Sequence, residues 1–203
     1  MKRIVLVVAV AAFSSSAFAG DLYDNGAPDY NNGNEMTQWV QAEDFTGVGA
    51  TIGSVTFTYL DFGIVKWDGT LDWYIYNDAG GQPGGMFASG TGQNIEMSFD
   101  GNFNGWDNFT TTFDLGGGGV AVEAANTYWL GLNLQQGYDR VDFYWTTTNP
   151  NGTITGNESD GSPDGPWFNN GQEHSFSLHE IPAPGALALL GIAGLVTRRR
   201  RRS

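Results

Sequence analysis

Ile52-Gly53-Ser54-Val55-Thr56-Phe57-Thr58-Tyr59-Leu60-Asp61-Phe62 is the stretch from which the fold can be read. Val55, Phe57 and Tyr59 fall on one side of a period of two, and Thr56 and Thr58 on the other. Strict alternation of this kind marks a strand with one buried face. The residues are also β-branched or aromatic, the types that fit a pleated surface.

Working outward, the same signal recurs between turns rich in Gly, Asn and Asp. Trp39 to Phe45, Leu71 to Tyr76, Phe109 to Leu115, Tyr128 to Leu134, Val141 to Trp145 and Ser175 to Leu178 read as strands. Met86 to Ser89, Ile95 to Phe99 and Val120 to Glu123 are shorter candidates. Leu71, Trp73 and Ile75 alternate with Asp72, Tyr74 and Tyr76, so both faces of that strand carry bulky side chains and a central place in a sheet is expected. Gly116 to Gly119 is a four-glycine turn. No segment of this region sustains helical periodicity. About ten short strands predict an all-β fold, an antiparallel β-sandwich that is jelly-roll-like. There is no cysteine, so no disulfide or thiolate site exists, and 13 Phe, 8 Tyr and 7 Trp must supply the core.

The two ends have a different character. Lys2 and Arg3, the apolar run Ile4 to Phe13 and the small residues Ala17 and Ala19 have the order of a secretory signal peptide, with cleavage expected after Ala19. At the other end, Pro182-Ala183-Pro184-Gly185 is a rigid break. The apolar run from Gly185 to Val196 follows. Its 12 residues reach about 18 Å as a helix, short of the roughly 30 Å hydrocarbon layer. Arg198, Arg199, Arg200, Arg201 and Arg202 close it, a charge cluster that stays on the cytoplasmic side of a membrane during export. The expected organisation is a signal helix over 1–19, an ectodomain over 20–180 and a sorting segment with a hydrophobic helix over 181–203.

Pro-x-Pro, a short helix of Gly, Ala and Leu, and a terminal Arg cluster resemble a PEP-CTERM sorting signal. Ala183 stands where that family ordinarily has Glu. The resemblance implies export by the Sec machinery and recognition by an exosortase-type membrane peptidase. It also implies placement at the cell surface or in the extracellular matrix, with transient or retained contact of the C-terminal helix with the inner membrane. Trp39 to Phe45, Gly81-Gln82-Pro83-Gly84 and Asn126-Thr127-Tyr128-Trp129-Leu130 are similar to the β-sandwich ectodomains that such proteins carry, which implies a fold and no activity.

Charge narrows the partners. Between Gly20 and Glu180 only Lys66 and Arg140 are basic, against all 22 acidic residues, a formal charge of −20. Phosphate recognition needs Lys and Arg, so nucleic acid is not an expected partner. Hard cations suit this composition better. Asn157, Glu158, Asp160 and Asp164 gather oxygen ligands in one Gly-rich stretch and are the candidate site for a structural calcium ion. Asp21, Asp24, Asn25, Asp29, Asn32 and Glu35 form a second dense stretch. Neither has EF-hand spacing, and such residues also serve as ordinary turn formers.

Catalytic patterns are sparse. His174 and His179 are five apart, which on a strand puts them on opposite faces. Glu43, Glu96, Glu123 and Glu173 lie in or beside expected strands without forming a local Glu-x-Asp-x-x-Glu motif. Trp67, Trp106 and Trp167 sit near Asp68, Asp107 and Asp164, and aromatic rings beside carboxylates are candidates for stacking on sugars, although capping the ends of the sandwich is the favoured role for such rings. The expected function is that of an exported, non-catalytic surface or matrix protein associated with extracellular polysaccharide. A secreted glycan-active hydrolase and a purely structural coat protein are the alternatives.

Overall fold

The computed structural model describes residues 20–61, 66–134 and 142–181. The expected signal segment with Ala17 and Ala19, the sorting residues Pro182, Ala183, Pro184, Gly185 and Arg198 to Arg202, and Arg140 lie outside the described residues.

The decisive stretch forms β4, Thr51–Asp61, and everything else is arranged about it. One edge of β4 pairs with β8 (Trp106–Asp114) and, at its start, with β9 (Val120–Ala121). Its other edge is shared by two strands end to end. β14 (Phe176–Glu180) lies along the first half and β11 (Phe143–Thr148) along the last three residues. Beyond these, β7 (Gln93–Phe103) adds to β8, β1 (Asp21–Asp24) to β14 and β2 (Pro28–Glu35) to β11. The result is an antiparallel sheet of eight strands.

The second sheet is also antiparallel. In the order of the sheet, it runs β13 (Phe168–Asn169), β12 (Asn157–Asp160), β3 (Trp39–Thr46), β10 (Thr127–Asn133), β5 (Asp72–Asp78) and β6 (Pro83–Thr91). β5 is flanked on both sides, as its two bulky faces predict.

The alternation read from the sequence fills the space between the sheets. Val55, Phe57 and Tyr59 of β4, Phe113 of β8, Phe143 and Trp145 of β11, and Phe176 and Leu178 of β14 meet Phe45, Trp73, Ile75, Tyr128, Leu130 and Leu132 of the second sheet. Phe57 sits at the centre, with Trp67, Phe113 and Trp145 edge-on to it at 6.1–6.4 Å. Edge-to-face contacts suit the ring quadrupole and add to what area burial contributes. On the opposite face of β4, Thr56 lies across from Thr112 and Thr58 across from Thr110.

Each of the ten sequence-predicted strands has a counterpart. β1, β2, β12 and β13 were not predicted, and β12 begins inside the stretch assigned to calcium.

Phe57→Ala removes a fully buried ring from the centre of this packing. Loss of transfer energy plus a cavity costs about 3–5 kcal/mol for such a change, to be read as a lower midpoint in urea unfolding with an unchanged slope.

Candidate functional site

Three carboxylic acids converge where the two sheets meet on the β3 side. Glu43 and Asp44 are consecutive on β3, and Glu173 lies in the segment that leads into β14. One oxygen from each lies within 4.8 Å of the others, and all three residues are buried. Strand pairing explains why they can gather there. β12 covers the edge of β3 only from Trp39 to Ala42. From Glu43 onward no described strand pairs with that edge, and side chains and loops fill the place.

His174 occupies part of it. Its backbone N–H donates to Glu43 Oε2 at 2.8 Å, and its ring Nδ1 meets the same oxygen at 2.8 Å. The other ring nitrogen, Nε2, is 3.1 Å from Asn34 Oδ1. The ring rests on Trp145 at 4.8 Å between centroids. Burial holds the imidazole down to about 3, so it is neutral at ordinary pH. Burial first, then the neighbouring Glu173, pushes the Glu43 carboxyl up to about 10. The two shifts describe one arrangement. The Glu43 carboxyl is protonated and the His174 ring uncharged, with Nδ1 against Glu43 Oε2 and Nε2 against Asn34 Oδ1. The pair is neutral and fully satisfied.

Asp44 and Glu173 have no imidazole beside them; Thr153 is hydrogen-bonded to both, and Glu43 and Asn25 also reach Glu173. Burial, with a contribution from Glu173, pushes Asp44 up to about 6, and burial raises Glu173 as well. Thr153 Oγ1 lies 3.1 Å from Glu173 Oε2. Asp44 Oδ1 is buried and accepts no hydrogen bond. Asn25, also buried, closes the surroundings: its amide donates to His174 O at 2.9 Å, and its Oδ1 accepts from Asn151 Nδ2 at 2.7 Å. Gly156 is required here by space. A Cβ at that position would stand 2.8 Å from Glu43 Oε2 and 2.9 Å from His174 Nδ1.

The sequence-predicted ligands are placed differently. Asn157, Glu158 and Asp160 belong to β12, where successive side chains point to opposite faces. Asn157 is buried and Asp160 exposed. Glu158 accepts from Gln41 Nε2 at 3.3 Å, and Asp164 lies beyond the strand, exposed. Among the described residues the one gathering of three acidic or imidazole side chains is Glu43, Asp44 and Glu173. In the stretch from Asp21 to Glu35, the acids serve the backbone. Asp29 Oδ1 accepts from the N–H of Asn31 and Asn32, and Glu35 from those of Thr37, Gln38 and Trp39. His179 stands apart from His174, against Asp21 at 2.9 Å.

The tryptophans also divide. Trp67 is 5% exposed, packs on Phe57 and Tyr59, and donates its indole N–H to Thr70 O. It is a core residue, and its expected role on sugars is corrected: no pyranose can reach its face. Trp106 is half-buried on the outer face of the first sheet, edge-on to Tyr144 at 5.5 Å. Trp167 covers Tyr76 on the outer face of the second sheet. The two therefore cannot serve one ligand chain together.

Beyond the buried Leu60 and Asn108, which lie beside Trp106 and Tyr144, the outer face carries a polar row. Thr112 and Thr56 share a hydrogen bond at 2.8 Å, and Thr56 meets His179 Nε2 at 2.9 Å. Ser177 joins His179 at 3.2 Å, and Thr110 donates to Asp100 at 2.7 Å. Hydroxyl, imidazole and carboxyl groups thus run from β7 across β8, β4 and β14 to Asp21 of β1. Sequence reading found the alternation of β4 but missed this row, because it requires knowing which strands lie side by side.

Two measurements check the buried site. Gly156→Ala is expected to destabilise the fold by about 1–3 kcal/mol, since overpacking would displace Glu43 or His174. In metal-free solution the ring signals of His174 are expected to stay fixed in NMR spectra between pH 8 and pH 5, because a folded-state value near 3 leaves the ring neutral throughout that range. Comparison with known proteins finds no matching family model, no matching curated protein and no matching solved structure.

Proposed function

We propose that this chain is an exported, non-catalytic surface or matrix protein whose jelly-roll-like sandwich associates with extracellular polysaccharide through the outer face of the first sheet. The observation that carries the reading is the row formed by Thr110, Thr112, Thr56, Ser177, His179 and Asp21, with Trp106 and Tyr144 set on the same face. Such a face offers donors and acceptors at strand spacing, about 4.8 Å apart across the sheet. It adds an aromatic plane at one end. A sugar polymer presents the complementary set: ring faces for stacking and hydroxyls in both hydrogen-bonding roles.

Export and sorting belong to the same proposal. Support comes from the signal-like order of residues 1–19 and from Pro182, Ala183, Pro184 and Gly185 followed by the apolar run and Arg198 to Arg202. On this reading the Sec machinery exports the chain and an exosortase-type peptidase acts near the Pro-x-Pro break. The acidic domain favours neutral or cation-bridged polymers over nucleic acid. Burial weighs against the hydrolase alternative. Glu43, Asp44 and Glu173 are close together but enclosed, whereas glycosidic cleavage needs two carboxyl groups flanking a sugar in an open groove.

Cosedimentation of the purified protein with the producing cell's extracellular polysaccharide tests this. Wild type is expected in the pellet. Trp106→Ala is expected to weaken retention about tenfold, some 1.4 kcal/mol, while Trp167→Ala, on the other sheet, leaves it unchanged. Equal recovery of all three proteins in the supernatant would leave a structural coat component as the better reading.

A further inference from the structure

The geometry points to a divalent-cation site at Glu43, Asp44 and Glu173, suited to calcium, that ties the second sheet to the root of β14 in the first. The donors are all oxygens, the preference of a hard cation. Calcium holds its ligands at about 2.3–2.6 Å, so oxygens around one ion lie up to about 5 Å apart. The three carboxylates here offer oxygens within 4.8 Å of one another.

A second observation is independent of that clustering. Asp44 is 5% exposed, and its Oδ1 is enclosed with no hydrogen-bond donor. A buried carboxylate oxygen left without a partner costs free energy. Elsewhere in this chain, acids at turns are met by backbone N–H groups; Asp78, for example, accepts from Gly80, Gly81 and the Trp129 indole. Among the described residues no lysine or arginine makes up the deficit. Lys66, the one such residue among those described, is exposed. His174 gives its ring nitrogens to Glu43 and Asn34, so it has none left for Asp44 or Glu173. Burial raises all three carboxyls, the direction expected of acids gathered without a counter-charge.

Oxygens to complete a coordination shell are at hand. Thr153 Oγ1 adjoins Glu173, and Asn151 Oδ1 lies 2.7 Å from that hydroxyl. Calcium tolerates irregular shells of six to eight oxygens, whereas magnesium demands near-ideal octahedral geometry and gives up water reluctantly. Side chains from β3 and from the 173 segment suit the former. The ion would join elements more than a hundred residues apart in sequence, and so would act on the stability of the whole fold.

Thermal unfolding of the purified full-length protein tests the site. It is followed in EDTA, in calcium chloride and in magnesium chloride, with sodium chloride added to equal ionic strength. Calcium is expected to raise Tm by about 5 °C or more at saturation, with magnesium giving less. Asp44→Asn is expected to cross over. In EDTA it is at least as stable as wild type, since a repelling carboxyl is gone, yet it loses the calcium-dependent rise. Glu173→Gln is a second variant with the same expectation. Asp160→Asn, in β12, keeps the rise. A calcium shift that survives in both Asp44→Asn and Glu173→Gln, or that sodium chloride reproduces, would overturn the proposal. So would no shift in wild type.

Discussion

Strand β4 is hydrogen-bonded on both edges to four other strands, and no other element has that many partners. Its alternation is therefore imposed on its neighbours. Because Phe57 must face inward, Thr111 and Phe176, which lie opposite it, face inward too. Because Thr56 must face outward, Thr112 and Ser177 follow it. One pattern of side chains thus defines the core and the polar outer row at once. A slip of one residue would exchange the two faces and bury hydroxyls in place of rings.

A second constraint is the near absence of positive charge. Folded acidic proteins usually set Lys and Arg among their carboxylates. Here the backbone takes that task. Asp24, Asp29, Glu35, Asp68 and Asp78 each accept N–H groups two to four residues ahead in sequence, and so stabilise turns. Asp78 shows the effect. Partial burial pushes its carboxyl upward, but the Trp129 indole and the N–H groups of Gly81 and Gly80 outweigh this and hold it below its ordinary value. Local hydrogen bonding removes the need for a cation at the surface. Asp44 lies within β3, with no turn N–H groups ahead of it, and its Oδ1 goes without a donor.

The contrast also explains what could be read from the sequence. Period-two alternation is local, so β4, β10 and the core side of β8 were legible. β1 and β2 were not, because Asp21–Asp24 and Pro28–Glu35 are rich in Asp and Asn, residues that favour turns, and are strands only by pairing with β14 and β11. The acidic stretch at 157–165 looked like a ligand loop for the same reason. Pairing with β3 made its first part a strand and turned alternate side chains apart. The buried cluster was invisible from both directions. Its members, though separated by about 130 residues, meet because β12 stops short along β3. Trp67 was misplaced because a lone Trp beside Asp68 in a loop gives no sign of which way its ring turns.

β6 and β7 form the two free edges on one flank, joined through Gly92. Met86, Phe87, Met97 and Phe99 are exposed along them, a composition that in a flat edge invites strands of other molecules to pair. Both edges are broken twice. The register shifts on β6 near Phe87 and again between Pro83 and Met86, and on β7 near Asn94 and at Asp100. Each shift bends the strand and takes N–H and C=O groups out of line. An incoming strand therefore finds no long run of aligned groups, and Glu96 and Asp100 repel another acidic copy. The irregular hem of this sandwich thus weighs against strand addition at edges that are otherwise open and aromatic.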